Sequence, residues 1–208
     1  MNYGNSNDII QTCSRCGESL DRHGFSLIRS DDRTEKLARK LQGALDTVVK
    51  HGKLLGTDDA RTTCMVGAAV AKIGSAEHVF VTISGADIGI LNHISGSVLG
   101  SGVTLIKERL ALPLTTIKGA PLVLVQPAPW GRNRDYLLGA CAAQKLLMAI
   151  FKKQKETGGK ITSINLAEIL WSEPSLGGHN RDWSTGDMVC SCDTCKRVVP
   201  IMLCDQAD

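Results

Sequence analysis

Tyr136-Leu137-Leu138-Gly139-Ala140-Cys141-Ala142-Ala143-Gln144-Lys145-Leu146-Leu147-Met148-Ala149-Ile150-Phe151 is the stretch whose reading decides the fold. Apolar residues recur at Leu146, Leu147, Ile150 and Phe151, the three-and-four spacing of a helix with one buried face. Gly139 and Ala140 are small and let a second backbone approach the start of that helix. Cys141 falls in its first turn. There the positive end of the helix dipole lowers a thiol's pKa and readies it for a metal. A second cysteine motif stands near the other end of the chain, at Ser191-Cys192-Asp193-Thr194-Cys195-Lys196-Arg197-Val198-Val199-Pro200. It reads as a C-x-x-C pair opening another short helix. One thiol at one helix start and two at the next make three zinc ligands and leave a fourth position open. An open position marks a catalytic rather than a structural zinc.

The two motifs resemble those of the zinc-dependent cytidine and nucleic-acid deaminase superfamily, H/C-x-E on one helix and P/S-C-x-x-C on the next. The second is intact as Ser191-Cys192-x-x-Cys195. The first reads Cys141-Ala142-Ala143-Gln144, with alanine at position 143 where the family pattern has glutamate. The continuation Gln144-Lys145-Leu146-Leu147 keeps to the family. It favours a Glu→Ala inactivated form of an active enzyme over a natural pseudo-enzyme.

The resemblance implies an α/β fold, a cytidine-deaminase-like three-layer α/β/α sandwich with a mixed central sheet. It also implies Zn2+ held by Cys141, Cys192 and Cys195, and a zinc-activated water that attacks C4 of cytosine. A glutamate at 143 would carry the proton in that reaction, and Ala143 cannot. Glu173 is the acid near the motif most easily mistaken for a replacement, but it lies on the wrong element.

The S-C-x-x-C form and the long loops look like the bacterial toxin-type and nucleic-acid-editing branches. Their substrate is cytosine in single-stranded DNA or RNA, because a base inside a duplex is out of reach. Single-stranded DNA is the first expectation. A deaminase of free nucleosides or nucleotides, and a catalytically dead zinc-stabilised binding module, are the alternatives. For a toxin-type domain the expected partner is an inhibitor or immunity protein. The expected location is the cytoplasm or, for a toxin-type domain, a target cell into which it is delivered.

The rest of the chain fits around these motifs. Its 208 residues are 43% hydrophobic but only 4% aromatic, so the core must be mostly aliphatic. The net charge of +3, from 24 basic and 21 acidic residues, does not by itself argue for nucleic acid. No apolar run has the length of a membrane span, and no signal peptide is read at the start. The eight cysteines include two C-x-x-C pairs, which point to metal and a reducing compartment.

Two regions are expected: an N-terminal segment, 1–29, and a deaminase-like domain, 30–208. The domain carries an insertion at about 85–112 and a loop at about 172–189. The N-terminal segment holds Cys13-Ser14-Arg15-Cys16-Gly17, half of a zinc knuckle and a candidate for a second, structural zinc. His23, Cys190 and Cys204 are the remaining residues suited to complete it.

A helix is expected from Ser30 to His51, with apolar positions at Leu37, Leu41, Ala44, Leu45, Val48 and Val49. Its basic residues Lys36, Arg39, Lys40 and Lys50 are read as a solvated face ahead of a polyanion-binding one. Residues 63–73 and 77–84 read as a hairpin. Residues 86–94 read as a helix, the run Gly96–Gly102 as its break, and 103–110 as another short helix. Residues 115–126 and 161–171 read as strands. Trp130, Arg132 and Arg134 precede the first motif, and Trp171, His179 and Trp183 lie in or beside the 172–189 loop. Aromatic rings to stack on a base and arginines to grip phosphate make these six the candidate substrate-binding residues.

Overall fold

The structure is a computed structural model that describes residues 13, 15–18, 28–50, 63–85, 89–108, 110, 112–122, 138–172, 179–180, 183–189 and 192–205. The expected first helix is α1, Asp32–Lys50. It starts where it does because Asp31 and Thr34 cap each other: Thr34 N donates to Asp31 Oδ1 at 2.8 Å, and Asp31 N donates to Thr34 Oγ1 at 3.0 Å. Ala38, Leu41, Ala44, Leu45 and Val48 are its buried face, while Lys36, Arg39, Lys40 and Lys50 are exposed.

The hairpin follows as β1, Thr63–Ile73, and β2, Ala76–Ile83, joined at Gly74, whose φ of 61° suits the tight turn. A 3-10 turn at Gly89–His93 and the one-turn helix α2, Gly96–Leu99, come next. The glycine run is thus a Ser95-capped turn rather than a simple break. The described residues of 103–110 do not form the expected helix: Val103–Leu105 is strand β3, paired in parallel with β2. The expected strand at 115–126 is also corrected where it is described. Thr116 to Gly119 make a turn, Gly119 N donating to Thr116 O at 2.8 Å, and Thr115 bridges Pro121. A glycine and a proline so close together favour reversal over extension.

The first cysteine helix is α3, Ala142–Thr157, ended by Gly158 in the left-handed conformation (φ 68°). Then come β4, Ile161–Ser172, the two short strands β5, His179–Asn180, and β6, Trp183–Ser184, and finally α4, Asp193–Met202.

The described residues of the main sheet run in the order β3-β2-β1-β4. β1 is antiparallel to both β2 and β4, and β2 is parallel to β3, so the sheet is mixed. The strands are apolar on both faces because helices cover both. Val66, Ala68, Val81, Ile83, Ile169 and Trp171 pack with α1 residues. Ala69, Ala71, Phe80, Ile164 and Leu166 pack with α3 and α4. This α/β arrangement puts the two cysteine helices side by side on one face. Among the described residues, no helix is long and apolar enough to cross a membrane.

Candidate metal centre

Both cysteine motifs end up at helix N-termini. Cys141 is the N-cap of α3 and Cys192 the N-cap of α4, each with an extended backbone. The Cys141 side chain makes no capping hydrogen bond, and its Sγ lies 3.5 Å from Cys192 Sγ. Cys195 joins them one turn into α4, its N–H donating to Cys192 Sγ at 3.4 Å. The three sulfurs lie within 4.8 Å of one another. They are free thiols, not a disulfide. With zinc–sulfur bonds of about 2.3 Å, two thiolates on one tetrahedral zinc stand about 3.8 Å apart. The cluster therefore has the spacing and the soft donors that zinc takes.

Its electrostatics fit a cation as well. Hydrogen bonds from Cys141 and Cys195 hold the Cys192 thiol down to about 3, against the pull of burial. The hydrogen bond to Cys192 pushes Cys141 up, and burial and the charges of Cys192 and Glu168 act in the same direction. Cys195 is pushed up by its contacts with Cys141 and Cys192 and by burial. A divalent cation among the three thiols would displace their protons.

The surroundings lock this geometry. Gln144 is fully buried; its Nε2 donates to Cys195 Sγ at 3.7 Å and its Oε1 accepts from Gly139 N at 2.7 Å. One side chain thereby ties the start of α3 to α4. Lys145, 1% exposed, donates to Ile83 O at 2.9 Å and Gly85 O at 2.7 Å, and Gly85 N donates to Ala140 O at 2.7 Å. The end of β2 is fastened to the same turn. Gly67 of β1 lets α3 lie close: a Cβ there would stand 2.9 Å from Ala142 Cβ and 3.0 Å from Leu146 Cδ1.

Compared with known proteins, the chain matches no family model, and neither a curated protein nor a solved structure is significantly similar to it.

Ala143 is wholly buried among the residues packed between the sheet and α3, so its side chain brings no polar group to the site. A carboxylate reaches the same turn from elsewhere. Glu168, on β4 and 4% exposed, accepts the Ala143 N–H at 3.0 Å through Oε1. It is the Cα partner of Gly67 and shares that residue's face of the sheet. The N-terminus of α3 favours its negative charge. Sequence reasoning missed it. The signal was there: a lone acid at an inward position of the otherwise apolar run Leu166-Ala167-Glu168-Ile169-Leu170. Glu173 lies outside the described residues.

Of the candidate substrate residues, Trp171 lies away from the thiols. Trp171 is 3% exposed and packs on the α1 face, opposite the cluster, with its Nε1 donating to Asp46 Oδ1 at 2.8 Å. Burial on that face gives it a packing role instead of a stacking one. Trp183 is partly exposed on β6, and His179 belongs to β5. Trp130, Arg132 and Arg134 lie outside the described residues. Cys13 and Cys16 do come together, with Cys204 as the third thiol; His23 and Cys190 lie outside the described residues.

Proposed function

We propose that this chain is a zinc-dependent hydrolytic deaminase of cytosine in single-stranded nucleic acid, DNA first. The observation that carries the reading is the convergence of Cys141, Cys192 and Cys195 from two helix N-termini, with the Glu168 carboxylate at the same turn. A mixed sheet with helices on both faces is compatible with a deaminase-like fold. Zinc held by the three thiols would supply an acidified water as nucleophile.

The chain's own residues supply the rest. Gln144 and the capping geometry fix the thiols, and the buried strands and α3 keep bulk water from the carboxylate. Overall, cytosine and water give uracil and ammonia; a C4–O bond forms and the C4–N bond breaks. One proton must reach the ring nitrogen and another the leaving amine. Glu168 Oε1 takes the part expected of a glutamate at position 143. It is offered from β4 to the backbone of that residue, at the N-terminus of α3, where it would carry the proton. This reading makes the chain active despite Ala143.

Ala143 itself favours a second reading, a zinc-stabilised binding module without catalysis. One experiment separates the two. The zinc-loaded chain is incubated with cytosine-containing single-stranded DNA, with single-stranded RNA and with free cytidine, and uracil is measured. Uracil in oligonucleotide only is the expected result. Uracil from free cytidine only moves the substrate to nucleosides. None from any, with one equivalent of zinc or more bound, overturns the role of Glu168 and leaves the Glu→Ala inactivated form or the binding module.

A further inference from the structure

We infer that Cys13, Cys16 and Cys204 form a second, separate thiolate site for a soft divalent cation, zinc first, which fastens the N-terminal segment to the far end of α4. The three ligand atoms lie within 4.8 Å of one another although 188 residues of sequence separate Cys16 from Cys204. The local backbone is shaped for it. Gly17 N donates to Cys13 O at 2.9 Å, Cys13 N donates to Glu18 O at 2.8 Å, and Gly17 takes a φ of 73°. This tight turn brings the two sulfurs of a C-x-x-C to one side, and only glycine adopts its last φ without strain.

Cys204 is set by the end of α4, its N–H donating to Ile201 O at 3.0 Å. Arg15 Nη1 donates to Cys204 Sγ at 3.3 Å and so helps to fix the position of that sulfur. None of the described cysteines is in a disulfide, and one disulfide could in any case join only two of the three sulfurs. Cys13 and Cys204 are 1% and 0% exposed, so neither sulfur is solvated by bulk water. A shared cation explains why three thiols are brought together, two of them out of solvent.

The two clusters are distinct sites. Cys192 and Cys195 open α4 and Cys204 follows its end, and a helix of about ten residues is about 15 Å long. One ion cannot serve both. The consequence is mechanical: α4 carries two of the three thiols of the first cluster, and the second cluster pins its other end. This inference does not depend on what reaction, if any, the first cluster performs.

Two measurements on the full chain test it. Elemental analysis of the purified protein should find two zinc ions per chain. Cys13→Ser/Cys16→Ser should reduce this to one, and Cys141→Ser/Cys195→Ser should also reduce it to one. A single ion unaffected by Cys13→Ser/Cys16→Ser overturns the proposal. The second measurement needs no variant: thiol alkylation mapped by mass spectrometry, with and without a chelator. Cys16 decides it, because it is half-exposed and burial alone does not shield it. Protection of Cys16, Cys13 and Cys204 that is lost on chelation is the expected result. Equal labelling of Cys16 with and without chelator, or a Cys13–Cys16 disulfide in the native protein, overturns it.

Discussion

Glu168→Gln separates a proton-carrying role from a structural one, because glutamine keeps the shape and loses the chemistry. The Gln carbonyl oxygen can still accept the Ala143 N–H that Glu168 Oε1 now accepts at 3.0 Å. At that contact one hydrogen bond changes from charge-assisted to neutral. These contribute about 1.5–3 and about 0.5–1.5 kcal/mol respectively, so the loss is about 1 kcal/mol. Relief of the cost of burying a carboxylate, 4% exposed here, offsets part of it. Such a change leaves the chain folded and the thiols in place.

The change in rate is of another size. General acid–base catalysis contributes about 10²–10⁴-fold, which is about 2.7–5.4 kcal/mol of barrier. A structural role predicts a small shift in unfolding midpoint and an intact rate. A proton-carrying role predicts the same small shift with kcat lowered by at least about a hundredfold. The assay is single-turnover deamination of an oligonucleotide, run beside urea unfolding and zinc analysis of the same preparation. A variant with normal zinc, normal folding and a rate within a factor of about three of the unchanged chain would refute the role given to Glu168.

Other outcomes follow from the same geometry. Gly67→Ala puts a Cβ against Ala142 and Leu146 at 2.9 and 3.0 Å, so it should destabilise by about 1–3 kcal/mol and weaken zinc retention against a chelator. Asp31→Ala removes the cap of α1 and should cost about 1 kcal/mol in urea unfolding at neutral pH. Burial opposes ionisation of Asp31, but hydrogen bonds from Thr34 and Asn165 outweigh it and hold its carboxyl below the ordinary 3.8. A depressed carboxyl stabilises the fold above its unfolded pKa and loses that contribution as pH falls through its folded value. The difference between Asp31→Ala and the unchanged chain should therefore close below about pH 4. Removing zinc with a chelator should lower the melting temperature: saturation at a thousandfold over Kd contributes about 4 kcal/mol, and each kcal/mol moves a domain of this size by about 2–4 °C. The same occupancy should fall as pH falls, because protons compete for the thiolates.

Much of this architecture was legible in the sequence wherever the determining interactions are local. The 3.6-residue periodicity of Leu41, Ala44, Leu45 and Val48 and of Leu146, Leu147, Ile150 and Phe151 marked α1 and α3, and Gly158 marked the end of the latter. The hairpin at Gly74 was equally local. The first thiol cluster was readable because each half is a short motif at a helix start.

What escaped depended on contacts far apart in the chain. Val103–Leu105 is a strand only because the edge of β2 is there to pair with it. Trp171 sits beside a loop in sequence, yet strand alternation turns its ring to the α1 face. Glu168 looks like any strand acid until its register with Gly67 aims it at α3. The choice of Cys204 as partner of Cys13 and Cys16 follows from how α4 packs, which no spacing encodes.

The central claim is that Cys141, Cys192 and Cys195 hold a metal at which cytosine loses its amino group. The most direct test is the zinc-loaded chain beside Cys141→Ser on a single-stranded DNA oligonucleotide with one cytosine, followed by a uracil-excising enzyme and a gel. The account predicts strand cleavage with the intact chain and none with Cys141→Ser. An intact chain with its full zinc complement that yields no cleavage would contradict it.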